Sequence, residues 1–262
     1  MARLQNKIAV ITGGGSGIGE GIAKTMAASG ADVAILDINF ENAKKSAEYL
    51  KARYEVKSIA LKTDVTNASQ IKKALKFVKD RLGKIDILVN NAGAFSRIGL
   101  PFMNTKAEDW EKMWEVNVQS VFIASKAVAP YFMEQKSGRI INIASIAALL
   151  SSSIQPAYSA AKMAVITLTK IMARDLAAHG VTVNAIAPGL IFTPSWEGLA
   201  KKLKEASPAL AGFSAREIFE KKVQEIVPLK KQQTPEDIGW TAVFLASDEA
   251  RNITGHILPV DG

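Results

Sequence analysis

The chain has 262 residues, of which 48% are hydrophobic, 22% charged and 7% aromatic, a balance that excludes a disordered, collagen-like or coiled-coil protein. It holds no cysteine and two distant histidines, His179 and His256, so disulfides and a thiol nucleophile are excluded and no metal site is expected. Its 33 Lys+Arg outnumber 25 Asp+Glu, a net charge of +8, but the lysines fall as scattered pairs without interleaved aromatics, which fits solvated helix faces rather than a nucleic-acid partner.

The first residues, Met1–Lys7, lead into a strand without a signal-peptide core, and no run approaches the ~20 apolar residues of a membrane span. The expectation is a soluble cytoplasmic protein with no membrane partner. Lys7–Thr12 is a near-continuous apolar run ended by glycines, which predicts a buried parallel strand. Ile18–Ser29 has helical spacing and stops at Gly30. Asp32–Leu36 predicts a strand, Glu41–Arg53 a helix, Ser58–Leu61 a strand, Ala68–Leu82 a helix and Ile85–Asn90 a strand. A long helix should fill much of Lys106–Lys136, with Asn117 and Pro130 interrupting its pattern. Then come a strand at Arg139–Ala144, a helix at Pro156–Ala178 with proline in its first turn, and a strand at Val181–Ala187. Pro235–Ala246 predicts a helix and His256–Val260 the last strand.

This alternation implies a single α/β domain over residues 1–262, a doubly wound Rossmann-type parallel sheet of about seven strands with helices on both faces. One stretch breaks the rhythm. Pro188–Thr234 has no predicted strand and two lysine-rich helical pieces, so residues 190–232 form a candidate substrate lid at the carboxyl end of a strand. From Glu197 to Lys231 it carries eight basic and five acidic residues, which fits either an anionic substrate or a solvated face.

The first strand-to-helix turn reads Thr12-Gly13-Gly14-Gly15-Ser16-Gly17-Ile18-Gly19. Glycines there let backbone approach a diphosphate held by the following helix's N–H groups, though a glycine turn can also be merely flexible. GxGxxG spacing is absent; the glycines fit TGxxxGxG at Gly13, Gly17 and Gly19. Asp37, at the end of the second strand, can accept hydrogen bonds from ribose hydroxyls and repel a 2′-phosphate; alternatively it is a turn or cap residue. No cation stands at Gly14, Ile38 or Asn39, so NAD is expected rather than NADP.

Tyr158 and Lys162 lie one helical turn apart on a shared face. A phenol is a poor base near neutrality unless a neighbouring ammonium lowers its pKa. By itself such a pair is common and usually structural. Ser145 follows the fifth strand, where it can reach a substrate oxygen. Asn117, a weak helix former inside a helical stretch, needs a partner or a water if buried.

From Lys7 to Gly262 the sequence resembles the classical short-chain dehydrogenase/reductase family. Thr12–Gly19 resembles its cofactor loop, Asp64-Val65 its adenine-contacting dipeptide, and Asn90-Asn91-Ala92-Gly93 its NNAG element. Pro188-Gly189 with Thr193 resembles the segment over the nicotinamide, and Val260-Asp261-Gly262 the last strand's end. Asn117, Ser145, Tyr158 and Lys162 fall on its catalytic tetrad. The resemblance implies Tyr158 as general acid/base, Lys162 binding the nicotinamide ribose and lowering the tyrosine pKa, and Ser145 orienting the substrate oxygen. It implies that Asn117 holds a water linking Lys162 to solvent. The implied NAD contacts are Gly13, Ser16, Gly17, Ile18, Gly19, Asp37, Asp64, Val65, Asn91, Ala92, Gly93, Tyr158, Lys162, Pro188, Gly189 and Thr193. The implied substrate contacts are Ser145, Gln155, Tyr158 and Trp196.

The implied activity is NAD(H)-dependent interconversion of a secondary alcohol and its ketone. Thr193–Glu197 resembles the loop start of some polyol and diol dehydrogenases, which favours a small diol, polyol or hydroxy compound. A 3-oxoacyl-thioester reductase and a cyclic or aromatic carbinol dehydrogenase are alternatives, and a non-catalytic dinucleotide sensor is a remote one because all four tetrad positions are filled. The apolar faces of the helix opening at Pro156 (Ala157, Ala160, Ala161, Ala164, Val165, Leu168, Ile171, Met172), together with the resemblance, imply a homotetramer.

Overall fold

A computed structural model describes residues 3–95, 102–151 and 155–262, and only the backbone of residues 195, 202, 206 and 208. The apolar runs become strands β1 (Ile8–Thr12), β2 (Asp32–Asp37), β3 (Ser58–Lys62), β4 (Ile87–Asn90), β5 (Gly138–Ile143), β6 (Val181–Pro188) and β7 (Ile257–Val260). They form one parallel sheet in the order β3-β2-β1-β4-β5-β6-β7. The helices are α1 (Gly17–Ala28), α2 (Phe40–Tyr54), α3 (Ala68–Leu82), α4 (Ala107–Trp114), α5 (Ser120–Gln135), α6 (Ile146–Leu150), α7 (Pro156–Leu176), α8 (Pro194–Ala206), α9 (Ala215–Ile226) and α10 (Pro235–Ala246).

Because every central strand is buried on both faces, alternate residues feed two cores. Ala9, Ile11, Val33, Ile35, Ile87 and Val89 meet Ile22 and Met26 of α1, Leu50 of α2 and Ile238 of α10. Ile8, Val10, Ala34, Leu36 and Leu88 meet Ile71 and Leu75 of α3, Val128 and Phe132 of α5, and Ala173 of α7. Each fully buried side chain of this size contributes roughly 1.5–3 kcal/mol. Helices α1 and α10 pack closely through glycines: a Cβ on Gly239 would overlap the Thr25 side chain and lie 2.8 Å from the Gly21 carbonyl oxygen.

The predicted helix over Lys106–Lys136 is divided. Between α4 and α5 the backbone takes a π turn at Glu115–Gln119, with Asn117 wholly buried at its centre. Pro130 does not break α5; it sits on an exposed position inside the helix, where the missing N–H bond faces solvent. The helix α6, capped by the Ser145 hydroxyl accepting the Ala147 N–H at 3.1 Å, is too short to show a period in sequence.

A buried polar ladder crosses the second core. Asn90 Nδ2 donates to Asn142 Oδ1 at 2.8 Å and to Ser125 Oγ at 3.0 Å, and Asn142 Nδ2 donates to Thr169 Oγ1 at 2.8 Å. The Thr169 hydroxyl in turn donates to the Val165 carbonyl at 2.8 Å. Among the described residues, no helix is long and apolar enough to cross a membrane.

Candidate active site

The chain runs β1, β2, β3 outward, then returns to place β4 beside β1 on the other side. Beyond the carboxyl ends of those two strands the diverging connections leave a groove of about 420 Å³. At its floor Asn91 latches the glycine loop. Its side-chain amide donates to the Thr12 and Gly13 carbonyls, both at 3.0 Å, while Thr12 Oγ1 accepts from the Asn91 and Ala92 N–H groups. Gly13 and Gly17 adopt φ of 63° and 56°, the left-handed region that glycine takes without strain. Gly13, Ser16, Gly17 and Ile18 line the groove, where α1 presents its free N-terminal N–H groups. Gly19 does not line it. Its role is contact: a Cβ there would overlap the Gly13 carbonyl, so the helix can dock against the loop only with glycine.

At one end, Asp37 is held by two backbone donors: Gly15 N–H to Oδ2 at 3.0 Å and Asn39 N–H to Oδ1 at 2.9 Å. Asp64 accepts from the Thr66 N–H and hydroxyl at 2.9 and 2.7 Å, and it lines the groove with Val65. Leu36, Ile38, Thr63 and Thr66 also line this end, and none of them carries a motif that marks it in sequence.

At the other end the groove is lined by Asn91, Ala92, Gly93, Asn117, Ser145, Tyr158, Lys162, Pro188, Gly189 and Thr193. The Asn117 amide finds its partner in backbone 23 positions away: Nδ2 donates to the Ala94 carbonyl at 3.0 Å and Oδ1 accepts the Ala94 N–H at 3.3 Å. Gly93 permits this packing, since a Cβ would stand 2.7 Å from Asn117 Oδ1 and 3.4 Å from Lys162 Nζ. The Ser145 and Tyr158 hydroxyls share a hydrogen bond. Lys162 donates to the Ile143 carbonyl at 2.8 Å, and its Nζ is 5.8 Å from the centre of the Tyr158 ring.

The titration of this pair departs from expectation. Burial pushes the Tyr158 phenol up to about 12, and the Ser145 hydrogen bond pulls the other way without overcoming it. Burial also brings the Lys162 ammonium down to about 8. Burial thus dominates the titration of both groups, raising the phenol and lowering the ammonium.

Two predicted substrate residues lie elsewhere. Trp196 is 7% exposed and packs in the core of the insertion, its ring 5.4 Å from that of Phe219 and in one cluster with Val223 and Val227. Gln155 is buried at the head of α7, where its carbonyl accepts the Ser159 N–H at 2.9 Å, outside the groove lining. The insertion sends Ile191, Thr193 and Pro194 to the groove and none of its described lysines. Most of its described basic side chains are exposed. Phe95, Ala94 and Val116 complete the second end of the groove, unmarked by any sequence motif.

The family model described as Enoyl-(Acyl carrier protein) reductase matches residues 13–262. The chain belongs to the short-chain dehydrogenase/reductase family. Among its relatives, the 3-oxoacyl-[acyl-carrier-protein] reductase of Synechocystis sp. is 37% identical over 266 residues, covering 100% of this chain and 98% of the relative. The L-2,3-butanediol dehydrogenase of Corynebacterium glutamicum is 36% identical over 260 residues, 98% of each chain. Two solved short-chain dehydrogenase/reductase structures superpose along the whole domain. NAD+-bound xylitol dehydrogenase gives a TM-score of 0.91 at 30% identity, covering 99% of both chains. The L-sorbose reductase of Gluconobacter frateurii, complexed with NADPH and L-sorbose, gives 0.92 at 31% identity, covering 100% of this chain and 98% of that one. These relatives share an oxidoreductase fold and differ in substrate and in dinucleotide.

Proposed function

We propose that this protein transfers hydride between NAD(H) and the carbon of a secondary alcohol or its ketone, with Tyr158 as general acid/base. The observation that carries the reading is one groove with a doubly held carboxylate, Asp37, at one end and the hydrogen-bonded Ser145 and Tyr158, with Lys162 beside them, at the other. The residues fit a dinucleotide. The bare Gly13–Gly17 loop admits a diphosphate against α1, Asp37 faces the place of the adenosine ribose, and Pro188, Gly189 and Thr193 wall the place of the nicotinamide. Bound there, the nicotinamide supplies or accepts the hydride.

The chain's own groups manage the proton. Ser145 hydrogen-bonds the substrate oxygen and sets it beside the Tyr158 hydroxyl. In reduction the carbonyl oxygen becomes an alkoxide as hydride arrives at carbon, and Tyr158 gives it a proton. A phenol pushed up to about 12 is protonated at neutral pH, so Tyr158 is set as an acid, ready for the ketone. Oxidation needs the phenolate and should accelerate as pH rises. Lys162, 4% exposed and charged below about 8, stands where it can bind the nicotinamide ribose and stabilise that phenolate.

NAD is favoured over NADP because Asp37 cannot swing away without giving up both backbone bonds, and Ile38 beside it is 67% exposed with no charge to offer a phosphate. Residues 190–232 serve as the lid, hinged where Ile191 bridges Gln233. A homotetramer is supported by Trp114, Phe122 and Ile171, about half exposed around an apolar groove on the α5 and α7 face, while Ala157, Ala161 and Val165 are used up inside the chain. The test is turnover of a panel of ketones at pH 7 and secondary alcohols at pH 9, each with both cofactors. The proposal expects NADH-driven ketone reduction. No turnover in either direction overturns it, and equal or better kcat/KM with NADPH overturns the cofactor choice.

A further inference from the structure

The ring of Phe95 lies on the ring of Tyr158, centroids 4.9 Å apart and planes 31° from parallel; Phe95 is 50% exposed and lines the groove. Its placement is fixed from below. Phe95 follows directly on Ala94, whose N–H and carbonyl are both clamped by the Asn117 amide, and Gly93 before it admits no side chain. The ring therefore stands on pinned backbone beside the acid/base. The groove residues Ala94, next to it in the chain, and Val116, next to Asn117, are apolar. Among the described lining residues at this end, the side-chain polar groups are Asn91, Asn117, Ser145, Tyr158, Lys162 and Thr193, of which Asn91 spends its amide on the glycine loop and Asn117 on Ala94 and Met113.

We infer that Phe95 is a specificity-determining residue, whose exposed face receives an apolar, flat substituent on the carbon that bears the reacting oxygen. This rests on the hydride-transfer reading and narrows its substrate class to ketones carrying an aryl or cyclic group. A flat apolar group covers the open half of the ring and gains an aromatic contact. A hydroxyl laid on the ring face is stripped of water without gaining a partner there, which disfavours small polyhydroxy compounds at this position. The same cover keeps water from Tyr158, in line with the buried character of its phenol.

The experiment compares wild type, Phe95→Leu and Phe95→Ala in NADH-driven reduction of acetophenone and of acetoin. Phe95→Ala should lose about tenfold in kcat/KM on acetophenone, chiefly through KM, and stay within about threefold on acetoin. Phe95→Leu should fall between. A role confined to holding Tyr158 in place would lower both substrates together through kcat, and that result overturns the inference, as does a wild-type preference for acetoin. Benzamide, which is not reduced, reads the same contact by calorimetry without turnover. Its affinity should fall about tenfold in Phe95→Ala while NADH affinity stays within twofold. Phe95-dependent benzamide binding in a protein that reduces neither ketone sinks the hydride-transfer reading yet supports the aryl contact. Benzamide binding that is undetectable, or equal in the two proteins, sinks the aryl contact itself.

Discussion

Replacing Lys162 by methionine should destroy activity and make the folded protein more stable. The ammonium is 4% exposed and held at about 8 instead of the ordinary 10.5 by burial alone. Each tenfold loss of proton affinity is 1.36 kcal/mol, so at pH 7 the folded state carries a penalty on the order of 3 kcal/mol for keeping this charge. Methionine matches the length of the chain and removes the charge, but it gives up the charged hydrogen bond to the Ile143 carbonyl, about 2 kcal/mol. The net gain is about 1 kcal/mol, or roughly 3 °C in Tm for a domain of this size. The sign with pH follows from proton counting. Between about 8 and 10.5 the unfolded lysine still binds a proton that the folded one has released, so wild-type stability rises relative to the variant over that window. The advantage of Lys162→Met should thus be full below pH 8 and gone by about 10.5. Calorimetric scans of the cofactor-free proteins at pH 7, 9 and 10.5 give the comparison. A variant that melts below wild type at pH 7, or a gap that does not narrow with pH, would refute the argument that burial of this charge is an unrelieved cost.

Tyr158→Phe keeps the ring against Phe95 and loses only the acid, so ketone reduction should fall at least a hundredfold while NADH binds within about threefold; a tenth of wild-type activity would exclude Tyr158 as the acid. A 2′-phosphate about 4 Å from Asp37 meets about 4 kcal/mol of repulsion per unit charge at an effective dielectric of 20, partly screened by solvent, so wild type should prefer NAD to NADP by about a hundredfold. Asp37→Ser with Ile38→Arg should reverse much of that ratio, and unchanged discrimination in steady-state kinetics would mean the choice is made elsewhere. Gly19→Ala puts a methyl group into the Gly13 carbonyl and should weaken NADH binding about tenfold or more by fluorescence titration, with a native circular dichroism spectrum. Sedimentation should give the mass of four chains rather than 28.1 kDa, and a monomer at micromolar concentration would contradict the assembly.

How much of this could be read in sequence follows the range of the interactions. Gly13 and Gly17 of the strand-to-helix turn, Asp37 at a strand end and the one-turn spacing of Tyr158 and Lys162 are local patterns, and the structure brings these residues to one groove. The π turn at Asn117 is not local. It depends on an amide meeting the backbone of Ala94, 23 positions away, and no helical periodicity reports that. Trp196 was legible as an aromatic near the cofactor segment, but its partners Phe219 and Val223 belong to a helix further along the insertion, and they draw it out of the groove. The titration of the catalytic pair eludes sequence for a different reason. Proximity of opposite charges is encoded in the spacing, whereas desolvation depends on what covers them, and the cover includes Phe95 from another loop.

The polar ladder under the site has a consequence for alignment along the strands. In a parallel sheet buried on both faces, nearly every side chain is apolar, so sliding one strand by two residues, about 6.6 Å, would still bury hydrophobic surface. The amides remove that ambiguity. Asn90 and Asn142 are direct partners across β4 and β5, and any slip leaves both amides unpaired in a dry core. The ladder acts as a dowel through four elements. Asn90 fixes the strand that leads into Asn91–Gly93, and Asn142 the strand that ends two residues before Ser145. Thr169 fixes the helix that carries Lys162 two turns earlier, and Ser125 the helix that continues from the turn at Asn117. Side chains that touch no substrate thus set the distances among those that would, and the site takes its precision from the core beneath it.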